Sequence, residues 1–224
     1  CRSRGLGDVY KRQQSNMKAA WLEINGGDES TVNAAFTLVP QEETDRYDGI
    51  WANIFSDNEA RKAGWASWNE NYAVAFQAKF GDVVNCHADK TFAFDSNWTV
   101  RPAAKWGDGE PHQAVYSFCS VNEGKTMADS ERASDAFVAA MEIGRAENGP
   151  DGYGSTLLMP LFDPSTAGGS MTSYDYAQSH YWDTSEDKAQ GMSNWMMEGN
   201  TLREAFEDAA TCENIEFDLY MLKS

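Results

Sequence analysis

Residues 174–195 read YDYAQSHYWDTSEDKAQGMSNW, and within them an alternating strand pattern gives way to a helical one. Residues 47–68, YDGIWANIFSDNEARKAGWASW, align with this stretch without a gap at a shift of 127. At a shift of 120, residues 19–40 align with 139–160, and an insertion around Phe162–Gly168 accounts for the change of shift. Nine identities over 44 positions, about three times the chance level, indicate an internal repeat. A coincidence between two acidic α+β segments is the alternative.

The second copy, residues 111–224, reads from end to end as strand, helix, strand, strand, helix, strand. Its first helix follows a cap at Thr126 and shows Ala133, Phe137 and Met141 at helical spacing. The other elements are expected as strands at His112–Ser120, Tyr153–Phe162, Ser173–Trp182 and Glu213–Leu222, and as a second helix that Asp183 caps and that continues through Glu204–Ala210. This order predicts the split βαβ, ferredoxin-like arrangement of the α+β class.

The first copy, residues 14–97, repeats this order without its opening strand. Its predicted elements are a helix over Asn16–Asn25, strands over Val32–Val39 and Tyr47–Phe55, a helix over Glu59–Phe80 and a strand over Lys90–Asp95. Residues 98–110, which hold one Pro and two Gly, are predicted to form a linker.

Residues 1–13, CRSRGLGDVYKRQ, differ sharply in composition from the rest of the chain. They hold four basic residues, one acid and no initiator methionine, and they resemble a translated sequencing adapter. We therefore interpret them as an artefact, in which case the first strand of the first repeat is missing. A basic arm for an acidic partner is the alternative.

A four-stranded sheet with helices on one face leaves its other face open, and two copies can cover these faces against each other. The barrel that results resembles the dimeric α/β barrel superfamily, here joined within one chain. CSVNEGKTMAD at 119–129, ATCENIEFDL at 210–219 and the two Tyr-Asp strand starts are similar to a group of uncharacterised exported bacterial proteins with a duplicated unit. The superfamily includes cofactor-free monooxygenases, haem enzymes, isomerases and proteins without known activity, and fold alone does not choose among them.

Charge restricts the partners. The 224 residues carry 18 Lys and Arg against 35 Asp and Glu, for a formal net charge of −17. Nucleic acid and anionic membrane surfaces carry the same sign, so neither is expected as a partner. No run of about 18 apolar residues occurs, so membrane insertion is not expected either. A small apolar or aromatic molecule and a second copy of the chain remain as partners.

The cysteines predict one disulfide. In a ferredoxin-like sheet the first and fourth strands are antiparallel neighbours, so Cys119 and Cys212 are expected to meet. Cys86 takes the place of Cys212 in the first copy, and its partner would fall in the missing strand, so it is expected to be unpaired. A disulfide implies an oxidising compartment and hence a periplasmic or secreted protein whose signal peptide was lost by truncation. Buried free thiols of a cytosolic protein are the alternative.

Metal and cofactor motifs do not occur in the sequence. His87, His112 and His180 lack zinc spacing, and there is no calcium loop, phosphate-binding loop or nucleophile elbow. Haem barrels of the superfamily use a histidine on a helix, and the predicted helices lack one. We therefore expect no metal and no cofactor.

The third strand of each copy is the predicted site. Strand alternation places on one face Trp51 and Asn53 in the first copy and Tyr176, Gln178, His180 and Trp182 in the second. The opposite face carries smaller side chains such as Ala177 and is expected to pack under the helices, so the aromatic and polar face should line the barrel. A mostly aromatic cavity with a few polar groups is the usual form of a small-ligand site. A shift of one residue in register would exchange the two faces.

His180 and Asn53 occupy equivalent positions and are the catalytic candidates. The ordinary pKa of histidine lies near neutrality, which makes His180 the acid or base, and Asn53 could hydrogen-bond a carbonyl or an oxyanion. The ligand-binding candidates are Trp51, Tyr176, Gln178 and Trp182.

Three functions remain open at this point. The barrel could bind a small apolar or aromatic molecule, or it could be a cofactor-independent monooxygenase or isomerase that uses His180. It could also have a solid core and act on a protein partner through its acidic surface.

Overall fold

The computed structural model describes residues 2–3, 18–19, 21–23, 31–44, 47–82, 84–86, 91–109, 111–166, 174–198 and 200–223. Contacts divide the chain into unit 1, Cys1–Asp89 with Leu219–Ser224, and unit 2, Lys90–Asp218. Within the described residues, no helix is long and apolar enough to cross a lipid bilayer.

Unit 1 combines antiparallel strands with a long helical run. Its elements are β1 (Arg2–Ser3), β2 (Ala34–Pro40), β3 (Ile50–Ile54), α1 (Asn58–Ser67), a π-helical turn (Trp68–Tyr72), α2 (Ala73–Phe80) and β4 (Val84–Asn85). β2 and β3 pair from Ala34↔Ile54 to Leu38↔Ile50, while β1 and β4 form a separate two-stranded sheet. The helix predicted over Glu59–Phe80 is thus confirmed as one helical run.

Two predictions for unit 1 fall mostly outside the described residues. Of residues 1–13, the structure describes Arg2 and Ser3, which form β1. Of the helix predicted over Asn16–Asn25, residues 18–19 and 21–23 are described, and they are helical.

Unit 2 contains the complete ferredoxin-like order. Its elements are β5 (Phe94–Val100), β6 (His112–Val121), α3 (Met127–Asn148), β7 (Gly154–Pro160), a 3₁₀ turn (Pro164–Thr166), β8 (Tyr176–Trp182), α4 (Ser185–Glu198), α5 (Asn200–Ala209) and β9 (Ala210–Lys223). The strand order is β9-β6-β8-β7-β5, in which β6 pairs antiparallel with β8, and β7 with both β8 and β5. Residues 219–223 of β9 belong to unit 1, where the order is β3-β2-β9.

Strand β5 departs from the prediction. The strand expected at Lys90–Asp95 is found at Phe94–Val100 and therefore runs into the residues predicted as linker, 98–110. Among the described strands, β5 ends the sheet beyond β7, and the side chains of residues 95–98 are exposed. Since these exposed side chains are mostly polar, the strand lacks the apolar alternation by which a strand is recognised in a sequence.

The caps of α1 and α4 are Asp57 and Thr184, so α4 begins one residue later than its predicted cap, Asp183, implies. Asp57 caps α1 through its Oδ1, which accepts a hydrogen bond from the Ala60 N–H at 2.8 Å. At α4, the Thr184 hydroxyl accepts from the Asp187 N–H at 3.1 Å, and the Asp187 carboxylate accepts from the Thr184 N–H at 3.2 Å. Asp183, the predicted cap, accepts instead from the Gly107 N–H at 2.8 Å. At α3 the predicted cap, Thr126, forms a capping box with Asp129.

The predicted disulfide is present. Cys119 in β6 is bonded to Cys212 in β9, with their Cα atoms 4.0 Å apart and 93 residues between them in sequence. Cys86 is also disulfide-bonded, which corrects the expectation that it has no partner.

Replacing Cys119 and Cys212 together by Ser should lower the free energy of unfolding by about 4–5 kcal/mol, because opening a loop of 93 residues restores entropy to the unfolded chain. Urea unfolding of the oxidised wild type and of the double variant measures this difference. Equal unfolding free energies would contradict a stabilising bond at this position.

Candidate functional site

The β8 strand presents its predicted site residues to the helices. Trp182 packs so closely against α4 that any side chain at Gly191 would place its Cβ 2.7 Å from the Trp182 Nε1. His180 stacks on Tyr153, whose ring meets Phe137 of α3 edge-on at 6.0 Å. The expectation that this face looks away from the helices is therefore wrong. The helices contribute large aromatic side chains to this layer, and the aromatic face of β8 packs against them.

His180 is hydrogen-bonded within this layer. The Tyr153 hydroxyl lies 2.6 Å from His180 Nδ1, and the rings of Tyr153 and Trp182 lie within 6.2 Å of the imidazole. Burial disfavours the imidazolium and lowers the pKa of His180 from 6.5 to about 4. Burial also raises the pKa of the Tyr153 phenol, so the phenol stays neutral and can donate to Nδ1. At neutral pH His180 is an uncharged, hydrogen-bonded member of the core.

The strand β7 that carries this layer is held at its start by Arg145 of α3. The guanidinium donates to the Asp151 carboxylate at 2.6 Å and to the carbonyls of Tyr153 and Arg101, both at 2.9 Å. These bonds fix the backbone of Tyr153 and therefore the position of its ring beside His180.

In unit 1, Trp51 and Asn53 also lie on the face of the sheet that packs against helical residues. Trp51 meets Trp21 at 5.8 Å and Phe76 of α2 at 6.1 Å. The Trp51 indole N–H donates to Asn53 Oδ1 at 3.1 Å. Trp51 thus packs into the core of unit 1 around the buried Trp21, and Asn53 is tied to that core by its hydrogen bond from Trp51.

Tyr176 and Gln178 lie farther along the helix-facing side of β8, and both line a cavity of about 120 Å³. Gln178 Nε2 donates to Ser155 Oγ at 3.3 Å, and burial raises the pKa of Tyr176 above its ordinary value of 10. The cavity is smaller than the roughly 300 Å³ of ordinary small-molecule sites.

A chain of four hydroxyl groups runs along the opposite face of the same strands. Thr156 Oγ1 is hydrogen-bonded to Ser179 Oγ, which donates to the Tyr181 hydroxyl at 2.8 Å. The Tyr181 hydroxyl lies 3.0 Å from that of Tyr116. Sequence reasoning missed this hydroxyl chain because it expected the face of β8 that carries Ala177, and with it Ser179 and Tyr181, to pack under the helices. The signal in the sequence was that β6, β7 and β8 all carry hydroxyl residues on the same face of the sheet.

Aromatic rings surround the two tyrosines of the chain. Trp98 of β5 lies 6.2 Å from Tyr181, and Phe217 of β9 meets Tyr116 edge-on at 5.6 Å. Phe217 is almost fully buried, whereas Trp98 is 43% exposed. Burial raises the pKa of Tyr116 well above 10, and its neighbour Tyr181 raises it further, so this phenol is neutral at physiological pH.

One phenolic proton of the four-hydroxyl chain has no hydrogen-bond acceptor. Each hydroxyl carries one proton, and three hydrogen bonds use three of the four. Because Ser179 donates to Tyr181, its own acceptor bond must come from Thr156. The bond between Tyr116 and Tyr181 then uses one of two phenolic protons. Within the described part of the chain, no other side chain accepts the second one.

No known protein family and no curated protein matches the sequence. Among solved structures, the chain is similar to a Fusobacterium nucleatum protein named "Putative monooxygenase", with a TM-score of 0.62, 10% identity, and coverage of 100% of this chain and 91% of that one. It is also similar to an anthrone oxidase-like protein, with a TM-score of 0.47, 9% identity, and coverage of 95% and 89%. Identity this low shows the fold alone, and the similarity agrees with the ferredoxin-like strand order of unit 2.

Protonation of His180 should destabilise the fold in acid. Its folded pKa of about 4 lies below the unfolded value of 6.5, so the unfolded chain binds the proton more tightly. Above pH 6.5 His180 is neutral in both states and costs no stability. By pH 4.5 its protonation in the unfolded chain should lower the free energy of unfolding by about 2 kcal/mol. Urea unfolding of the wild type and of His180→Gln across this range should show a steeper decline in the wild type. Parallel curves would mean that His180 is protonated without strain in the folded state.

Proposed function

We propose that this protein binds a small aromatic molecule that carries a carbonyl or phenolic oxygen, and that the ligand lies against the hydroxyl chain of unit 2. The observation that carries the proposal is the unused phenolic proton of Tyr116 or Tyr181. A buried donor without an acceptor is costly, and an oxygen of the ligand would satisfy it. This agrees with the sequence-based expectation of an aromatic ligand, but it moves the site to the other face of β8.

The side chains around the hydroxyl chain can make contact with an aromatic ring. Trp98, Tyr116 and Tyr181 offer ring faces and edges for stacked or edge-on contact. Arg101 lies over the Trp98 ring at 5.5 Å and brings a cation to the exposed end of the cluster. An aromatic ketone would combine both features, because its ring would contact these side chains while its carbonyl accepts the phenolic proton.

Cofactor-independent oxygenation is a second candidate, favoured by one specific observation. Tyr116 is held neutral by burial, so its O–H can donate to an oxygen atom that becomes negatively charged during a reaction. The reaction would convert an activated aromatic CH₂ group and O₂ into a ketone and water, so that the substrate supplies all four electrons. The similarity to a protein named as a monooxygenase supports this class at the level of fold only. His180 is a weaker candidate acid or base, because Tyr153 already occupies its Nδ1.

We also propose that the chain is a tandem duplication, with repeats at 14–97 and 111–224. Two pairings support it. β5, at the end of the first repeat, pairs with β7, the second strand of the other repeat, and β9 at the end of the second repeat is next to β2, the corresponding strand of the first. The expectation of export is supported by the Cys119–Cys212 bond, since disulfides persist in oxidising compartments. We also propose that the chain self-associates, and we assign no particular contact to that association.

Binding of 1-tetralone, compared with tetralin, tests the first proposal. The two compounds share a ring system, and only the ketone accepts a hydrogen bond. We expect 1-tetralone to bind about 5–10-fold more tightly, and the Tyr116→Phe/Tyr181→Phe variant to lose this preference, because one neutral hydrogen bond contributes about 1 kcal/mol. Isothermal titration calorimetry measures both affinities.

Tyr153→Phe is the matched control, because it removes a buried phenol on the helix-facing side of the same sheet. It should leave the preference for the ketone unchanged. Equal binding of both compounds to the wild type would contradict the proposed donor, and no binding of either would favour the solid-core alternative.

Oxygen consumption tests the second candidate. Metal-free protein is mixed with anthrone, whose doubly benzylic CH₂ loses a proton readily, and O₂ uptake is compared with anthraquinone formation. We expect one O₂ consumed per ketone formed, and a rate at least tenfold lower in the Tyr116→Phe variant, since a single oxyanion donor contributes at least this much. Uptake no faster than without protein would leave ligand binding as the function.

A further inference from the structure

A second feature of unit 2 is the 120 Å³ cavity between α3 and the helix-facing side of the sheet. It lies on the opposite face from the hydroxyl chain and is independent of the function proposed above. Its lining contains hydroxyl, amide, carboxylate and apolar groups: Thr99, Met127, Ser130, Glu131, Ser134, Asp135, Leu157, Tyr176, Gln178 and Phe206.

Two hydroxyl groups in the wall have no hydrogen-bond partner. Among the described residues, the buried side-chain oxygens in this state are Thr99 Oγ1 and Ser130 Oγ. Ser130 is only 4% exposed, and its hydroxyl lies near the Tyr176 phenol. Thr99 stands where the pairing of β5 with β7 shifts register, and irregularities of this kind redirect a side chain out of the regular alternation. Buried polar atoms without a partner normally have water or a ligand as one.

The charge of the wall is entirely negative. Glu131 and Asp135 stand four residues apart on one face of α3, and both are exposed. None of the lining residues is a Lys, Arg or His. Neither carboxylate has an ion pair with another described side chain, and like charges at this spacing repel each other. A cation at the mouth of the cavity would relieve that repulsion.

Size and apolar surface restrict the cation further. The volume equals the share of about four water molecules, so only a ligand of a few heavy atoms fits. Met127 and Leu157 offer contact to a short alkyl chain, and the rings of Tyr176 and Phe206 can attract a positive charge. No described group of three or more His, Cys, Asp or Glu side chains could hold a metal ion, so a bare metal fits this wall poorly.

We propose that this cavity binds a small organic ammonium ion. Its N–H groups would donate to the hydroxyl oxygens of Thr99 and Ser130, and its positive charge would lie near the carboxylates of Glu131 and Asp135. Its carbon atoms would contact the apolar part of the wall. The unpartnered hydroxyls and the unpaired carboxylates then have one common partner.

The test uses ethanolammonium and ethylene glycol, which differ mainly in that one carries an NH₃⁺ group where the other carries a hydroxyl. Isothermal titration of the full chain at pH 7 and low salt should show saturable binding of ethanolammonium and at least tenfold weaker binding of ethylene glycol. Glu131→Gln/Asp135→Asn should lower the ethanolammonium affinity at least tenfold. Glu142→Gln, which neutralises another exposed carboxylate of α3 outside the cavity, should leave it unchanged.

A second pair of variants tests the buried hydroxyls. Ser130→Ala and Thr99→Val should each weaken ethanolammonium binding severalfold and, without ligand, should raise the melting temperature, because an unpartnered polar atom is removed. The proposal is overturned if ethanolammonium shows no saturable binding, if ethylene glycol binds equally well, or if Glu142→Gln reduces affinity as much as the double variant. Affinity that Ser130→Ala and Thr99→Val leave unchanged would also overturn it, because the cation would then bind the surface carboxylates alone.

Discussion

The register between β6 and β8 fixes the chemistry of unit 2. The two strands pair over seven consecutive positions, from Gln113↔Trp182 to Cys119↔Tyr176. Because successive side chains point to opposite faces, this register sends His180 into the aromatic layer under the helices and Tyr181 into the hydroxyl chain. A slip of one residue would reverse both placements. The disulfide at Cys119 lies at the end of this ladder and links it to β9.

The fold of unit 2 could be predicted from the sequence because its signals are local or topological. Phe137 and its neighbours at helical spacing gave α3, and the order of elements placed Cys119 beside Cys212. The cap of α4 was placed one residue early, because Asp183 and Thr184 stand next to each other and both residue types are good caps. β5 was misplaced because it carries mostly polar side chains, so it has no apolar alternation to read.

The site was harder to predict for a different reason. Alternation sorted the β8 side chains correctly into two sets, but both sets contain aromatic residues, so size alone could not show which set faces the helices. The helices decide which set faces them, because Phe137, Trp195 and Phe206 form one aromatic cluster against which the aromatic face of β8 packs. His180 shows the same limit. Its residue type suggested an acid or base, but desolvation and the hydrogen bond from Tyr153 make it a neutral core residue.

Strand β9 has a consequence for biosynthesis. Unit 1 is built mainly from the first 89 residues but also contains Leu219–Ser224, and Leu222 is buried in the same cluster as Trp21, Val32 and Ala35. A ribosome makes Leu219–Ser224 only after it has made the sequence of unit 2. Unit 1 therefore cannot complete its core until these residues have been made, although most of its own sequence precedes that of unit 2. All the sequence of unit 2 is made before that point, so the order of folding can run against the order of synthesis.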